Sequence, residues 1–280
     1  MRRRILALLP VLCALTSCNS LEPIRVMSFN IRYGTANDGE NRWERRRDLV
    51  IGTIEDRSPQ ILGVQEALAF QIDELSAALP QFRVLGQGRR GGREGEFAAL
   101  FVDRERFTVE QHGDFWLSPT PDEVGSQGWD AALPRLCTWA VLRDRGDGLR
   151  FRVLNTHFDH RGQRARLESA AVLMAQGMAS DDLPVIITGD LNADEESPPL
   201  VRLREAGLRD TFRVVHPEAE DVGTFNGFGG TSGRGKIDYV LVDSRWRVEA
   251  AEIVRDNDEG RYPSDHFPVV ADLVRGERKR

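Results

Sequence analysis

VIITGDLNA (residues 185–193) carries a run of β-branched residues into a glycine and then sets Asp190 and Asn192 two positions apart. Val185 to Thr188 read as a buried strand, because β-branched side chains pack well on a pleated backbone. A turn accounts for the polar pair, since Asp and Asn hydrogen-bond their own backbone and tolerate unusual dihedrals. A metal-assisted active site at a strand end accounts for it as well. Taken alone the stretch favours the turn, and the rest of the chain has to decide.

Similar runs recur on both sides of it. IRVMSF (24–29), QILGVQ (60–65), EFAALFV (96–102), CTWAVL (137–142), FRVLNT (151–156), PVIIT (184–188), KIDYVLV (236–242) and PVVADLV (268–274) all read as strands. Helical patterns interleave with them. Residues 42–56 put Leu49, Val50, Thr53 and Ile54 on one face, and 68–79 and 163–179 behave similarly. Ser197 before Pro198 and Pro199 suits a further helix start. No repeat or low-complexity linker divides residues 24–275, which predicts one α/β (α+β) domain of packed layers.

Two loops interrupt the alternation. QGRRGGREGE (87–96) carries Arg89, Arg90 and Arg93 among glycines; it lacks the spacing of a phosphate-binding P-loop and reads as a solvated, flexible turn. Residues 116–135 form a longer structureless stretch holding Trp116 and Trp129, and loops of that length are commonly functional.

The N-terminus reads differently from the rest. MRRR followed by ILALLPVLCAL has the layout of a secretory signal, and the greasy run is shorter than the ~20 residues a membrane span needs. The ending LTSC resembles a bacterial lipobox, which implies a leader over 1–17, a lipidated Cys18 and a short tether over 18–23. The expected location is the bacterial cell envelope, lipid-anchored and periplasmic or surface-facing, with the membrane met only through the anchor. Cys137 has no partner in the body of the chain, so the expected fold relies on its core rather than on disulfides.

At 280 residues, with 40% hydrophobic and 29% charged residues, the chain is long enough for a sizeable core. Loss of Arg2, Arg3 and Arg4 with the leader would leave 35 of the 38 basic residues against 44 acidic ones, taking the formal charge from −6 to −9. That balance does not favour a nucleic-acid partner bound along its backbone, although a nuclease with one basic groove stays open. A monomer acting on a phosphoester is the expectation for partners.

Polar residues collect at the strand ends. Asn30 closes the first run, Glu66 follows the second, His157 follows FRVLNT, and Asp190 and Asn192 follow PVIIT. Asp238 lies in KIDYV, and Asp265 and His266 precede the last run. Each has a bland account as a cap or a satisfied core residue, but a sheet converges its strand ends on one crevice. An aspartate inside an apolar strand also needs a partner.

With SFNIR, VQEA, NTHFDH, TGDLNA, IDYV and SDHFPV in that order, the chain resembles the endonuclease/exonuclease/phosphatase superfamily over essentially all of residues 24–275. Within it the chain resembles an uncharacterised bacterial branch that shares DGENRWERRR, GEFAALF and FWLSPTP. The resemblance implies a four-layer α/β/β/α sandwich of two mixed sheets flanked by helices. It also implies a divalent-metal phosphoesterase, with Mg²⁺ (or Mn²⁺) held by Asn30, Glu66 and Asp265. His266 oriented by Asp238 would be the base or electrostatic dyad. Asp190 would align or deprotonate the attacking water, Asn192 would hold that water or the phosphate, and His157 would donate to a phosphoryl oxygen.

Substrate identity is less constrained. Arg135 and Arg161 are candidate phosphate clamps, and Trp129, Asp130 and Asp159 candidates for selecting a polar head group. A small substrate in a roofed pocket is favoured over an envelope nuclease for DNA or RNA. A binding module that has lost catalysis is the alternative of another class. A two-carboxylate glycosidase gives no role to Asn30, Asn192 or the Asp238–His266 pair.

Overall fold

The computed structural model describes residues 22–178, 183–231 and 235–276; the expected leader, Cys18 and tether residues 19–21 lie outside the described residues. The chain opens with β1 (Ile24–Asn30), α1 (Trp43–Arg57), β2 (Ile61–Ala67), α2 (Ala69–Ala78), β3 (Phe82–Leu85) and β4 (Phe97–Asp103). Next come β5 (Phe107–Trp116), β6 (Leu136–Asp144), β7 (Arg150–His157), α3 (Gln163–Gly177), β8 (Val185–Asp190) and α4 (Pro198–Glu205). The remainder is β9 (Arg209–Asp210), α5 (Thr211–Val215), β10 (Asp238–Val242), β11 (Trp246–Ile253) and β12 (Val269–Arg275).

These strands build two six-stranded sheets, ordered β11-β12-β1-β2-β4-β3 and β5-β6-β7-β8-β10-β9. Each sheet has one parallel pair, β1–β2 and β7–β8, joined by α1 and α3 as the crossover a parallel pair requires. Side chains alternate across each strand, and this sorts the core into layers. Val26, Ile61, Leu100, Phe151, Val153, Ile186 and Val240 fill the space between the sheets. Met27, Phe29, Leu62 and Val64 point the other way, onto Trp43, Val50 and Ile54 of α1 and Ile72 and Leu75 of α2. Ile187, Tyr239 and Leu241 meet Leu173 of α3 and Leu200 and Leu203 of α4. The four layers are therefore helix, sheet, sheet, helix.

Near one end of the sandwich the inter-sheet filling turns polar. Asn155 Nδ2 donates to Val64 O at 2.9 Å and Ala99 O at 2.8 Å, and Asn155 Oδ1 accepts from Gln65 Nε2 at 2.6 Å and Thr188 Oγ1 at 3.0 Å. One side chain of the second sheet thus bolts two strands of the first. Gly63 makes room for it: a Cβ there would lie 2.1 Å from Thr188 Oγ1 and 2.6 Å from Asn155 Oδ1. Arg46 of α1 braces the same end, donating to Asn41 O, Ile31 O, Arg32 O and Pro263 O. At the opposite end Arg106 grips the entering chain, donating to Glu22 O and Pro23 O at 2.7 Å each while pairing with Asp144 at 3.0 Å.

The sequence reading missed β3, β5, β9 and β11, which are the four sheet edges. Edge strands face solvent along one flank and lack continuous apolar runs; β11 reads WRVEAAEI, with only Trp246 and Ala251 buried. The loop at 87–96 also departs from its reading as a solvated turn. It is a stitched hairpin, with Arg89 N donating to Glu96 O at 2.9 Å and Arg90 N to Glu94 O at 3.0 Å. Gly91, Gly92 and Gly95 supply its positive φ values of 97°, 55° and 80°.

Candidate active site

Strand register assembles the site before any side chain is considered. His157, Asp190 and Asp238 stand opposite one another in a single row across β7, β8 and β10. On the facing sheet Asn30 ends β1 and Glu66 comes one residue beyond the Asn30–Gln65 pairing, at a bulge between Gln65 and Ala67. The bulge holds Glu66 at φ 64°, a conformation that costs energy for a non-glycine residue and here turns its carboxylate toward the second sheet. Asn192, at φ 46°, also takes the left-handed conformation, which asparagine tolerates at little cost.

The two sheets meet through Asn30. Its Nδ2 donates to Glu66 Oε1 at 3.1 Å and to Asp190 Oδ2 at 2.9 Å, and its Oδ1 accepts from Arg32 N at 3.0 Å. His266 Nδ1 lies 2.9 Å from Asp238 Oδ2, with both residues buried. Asn192 Nδ2 donates to Phe158 O at 3.1 Å and faces His157 Nε2 at 3.0 Å. The fixed carbonyl of Phe158 decides the orientation of that amide, so His157 Nε2 is the acceptor of the pair.

Burial and crowding set the charges. Asp190 is pushed up to about 7, first by loss of water and then by the neighbouring Asp238. His266 is opposed by burial but carried well above the usual imidazole range by Asp238, Asp190 and Asp265, so it stands as the cation. His157 is driven well below that range by burial, with Arg135 and His266 adding to the effect. Asp265 is raised by burial despite the adjoining His266, and Glu66 raises it further.

Ligand atoms of Glu66, Asp190 and His266 lie within 4.8 Å of one another, with the Asn30 amide between the two carboxylates. Asp265 is adjacent rather than within that group, 3.7 Å from Arg32. Two carboxylates converging on a single amide nitrogen, with Asp238 and Asp265 close by, concentrate negative charge that a hard divalent cation would offset. The donor set is oxygen-rich, as Mg²⁺ or Mn²⁺ prefers, and the residues present fit such an ion.

These groups open into a cleft of about 540 Å³. Glu66, Arg135, His157, Asp190, Asn192, Asp265 and His266 line it, and Asn30 and Asp238 stand just behind their partners. Trp129 and Arg161 are not among the lining residues: Trp129 is half-buried in the 116–135 segment and Arg161 is exposed. Asp130 is spent at the start of α3, accepting from Ala165 N at 2.7 Å. Asp159 is buried and ties loops together through Leu133 N, Arg161 N and Gly162 N. Sequence reasoning missed Arg32, Tyr33, Glu96, Leu133, His160 and Phe225 as lining residues and put Arg89 in solvent. The pairing of Arg89 and Glu96 across the two ends of one glycine hairpin was the available signal, since Arg89 Nη1 reaches Glu96 Oε2 at 2.7 Å.

A model of the endonuclease/exonuclease/phosphatase family matches residues 27–266. A solved protein of that family from Bacteroides thetaiotaomicron is 33% identical, superposes with a TM-score of 0.85, and the match covers 91% of this chain and 98% of that one. A mannosyl-6-phosphatase of the same organism is also 33% identical, with a TM-score of 0.82 and coverage of 90% and 99%. Nocturnin of Drosophila melanogaster is 25% identical over 90% of this chain, which spans 47% of the length of that relative.

Proposed function

The chain belongs to the endonuclease/exonuclease/phosphatase family, and from that membership we propose that it is a divalent-metal-dependent phosphoesterase for a small phosphomonoester. The observation that carries the reading is the row of His157, Asp190 and Asp238 facing Asn30 and Glu66 across one confined cleft. The likeness to a mannosyl-6-phosphatase supports a monoester in preference to a diester. Leu133 and Arg135 from the 116–135 segment wall the cleft, which suits a small substrate better than a polymer.

Glu66 would hold the ion with Asn30 and Asp265 beside it, Asp190 would close the cluster from β8, and His266, as an imidazolium, would stand next to the ion without ligating it. A bound Mg²⁺ or Mn²⁺ would neutralise the phosphoryl oxygens and the developing charge on the leaving oxygen. Asp190, with its carboxyl near 7, is matched to accept a proton from the attacking water at neutral pH. The imidazolium of His266 would face the phosphoryl group, with Asp238, Asp190 and Asp265 favouring its cationic form. Water's oxygen joins phosphorus and the bond from phosphorus to the alcohol oxygen breaks. The proton taken by Asp190 balances the one the departing alkoxide gains.

The test sets an aryl phosphomonoester, an aryl phosphodiester, DNA and RNA side by side, each with Mg²⁺, Mn²⁺ or EDTA. Cleavage of the monoester that EDTA abolishes is the expected result. Preference for the diester or a nucleic acid would replace the monoester reading with the nuclease one, and silence on all four would favour a binding protein.

We also propose that the chain is exported and tethered to the envelope through Cys18. Cys18→Ser should move the protein from the membrane fraction to the soluble one in a fractionated bacterial host. An unchanged distribution would refute lipidation.

A further inference from the structure

We propose that Glu96, Arg135 and His160 form a leaving-group subsite selecting a polyhydroxylated alcohol, such as a sugar ring, over a nucleoside or a lipid chain. The proposal rests on the phosphoesterase reading of the same cleft and names what that reading leaves open.

The three residues line the cleft, and Glu96 and Arg135 also border His157 across a small void, which places them next to the reacting centre. Their hydrogen-bonding capacity follows from their mutual contacts. Arg135 Nη2 lies 3.1 Å from His160 Nδ1. A guanidinium only donates, so Nδ1 accepts and the imidazole carries its proton on Nε2. The His160 side chain is 42% exposed, leaving that N–H at the surface of the cleft. Glu96 Oε2 accepts from Arg89, while Oε1 takes no hydrogen bond among the described residues and is not sealed from solvent. The wall therefore offers a carboxylate acceptor and an imidazole donor on either side of a guanidinium. Sugar hydroxyls both donate and accept, and neighbouring ones satisfy such alternation.

The wall is also held in place. Arg135 is only 6% exposed, lies 3.6 Å from Asp159, and its carbonyl accepts from Leu117 N at 2.8 Å. A preorganised polar surface gives up little entropy when a polar ligand docks.

The competing leaving groups find less to bind. Base recognition uses free aromatic faces. Tyr33 and Phe225 line the cleft; Arg32 covers one face of Tyr33 at 4.7 Å and Phe225 makes a T-shaped contact with His266 at 5.2 Å, so a base would compete with Arg32 for the tyrosine. Leu133 and Ile237 are the aliphatic lining residues, too little apolar surface for an acyl chain.

The experiment compares hexose 6-phosphate, a nucleoside 5′-monophosphate and aryl phosphate with Mg²⁺ in the parent protein, Glu96→Gln and His160→Gln. The parent should prefer the hexose phosphate to the nucleotide by about tenfold or more in kcat/KM. Each variant should raise KM for the hexose phosphate about tenfold, while kcat on aryl phosphate falls less than threefold. A nucleotide preference, or KM rising equally for hexose and aryl phosphates, would overturn the subsite. Calorimetric titration of hexose 6-phosphate reads the subsite without turnover: binding weakened in the variants supports it, and binding unaltered by both rejects it. Failure of the parent to hydrolyse any monoester would reject the phosphoesterase reading separately.

Discussion

His266→Ala and Asp238→Ala should each lower turnover by about a thousandfold, and the double variant should lose scarcely more than either alone. Nδ1 and Oδ2 stand 2.9 Å apart with both side chains buried, so neither group has an alternative partner in water. Asp238 does two things at once: it fixes the imidazole ring and, with Asp190 and Asp265 adding to it, it offsets the burial that would otherwise discharge it. Once either member is gone, the other has nothing left to contribute, and the losses cannot multiply. The pH dependence carries the sign of the argument. His266 is raised above its ordinary range and acts as the cation, so activity depending on it is present at neutral pH and fades as pH climbs through the raised value. Asp238→Asn removes the raising charge, and the alkaline limb of kcat should move to lower pH. Independent, multiplicative losses, or an alkaline limb that stays put, would reject the pair.

Glu66→Ala should abolish metal-dependent turnover, by at least about a hundredfold, while leaving the fold intact. Glu66 is half-buried and adds to the repulsion felt by the buried carboxyl of Asp265 and the half-buried one of Glu96, beyond what desolvation alone imposes. Removing it relieves that repulsion, so the metal-free variant should melt no lower than the metal-free parent. Addition of Mg²⁺ should raise the melting temperature of the parent, because an ion bound only by the folded chain stabilises it, and should leave the variant unmoved. Calorimetry and a thermal melt in EDTA and in Mg²⁺ check both halves. Retained turnover would sink the assignment of Glu66 to the ion.

The convergence of the candidate residues was legible because parallel and antiparallel strands share one rule: polar residues at their converging ends meet. Register puts His157, Asp190 and Asp238 in one row, and Asn30 at the end of β1, Glu66 at the bulge of β2 and His266 ahead of β12 come from separate runs of sequence to meet them. The helices were legible from their spacing, with 42–56 found at Trp43–Arg57 and 68–79 at Ala69–Ala78. Edge strands were not, since β5 (FTVEQHGDFW) is exposed or half-exposed over most of its length and carries no apolar run. Long-range use of arginine was also hidden. Arg89 looked solvated among its glycines, yet its partner seven residues away folds it inward. Asp130 and Asp159 looked like binding residues because sequence does not reveal that backbone amides have already claimed them.

The grip of Arg106 on the entering backbone fixes which way the molecule points. Glu22 and Pro23 are held at the start of β1, and Asn30 closes the same strand at the catalytic end. Seven residues of strand span roughly 20 Å, so Glu22 and the cleft stand at opposite ends of the sandwich. A lipid-tethered molecule would then turn its mouth outward, toward soluble or neighbouring-surface compounds, and its back to the bilayer that holds it.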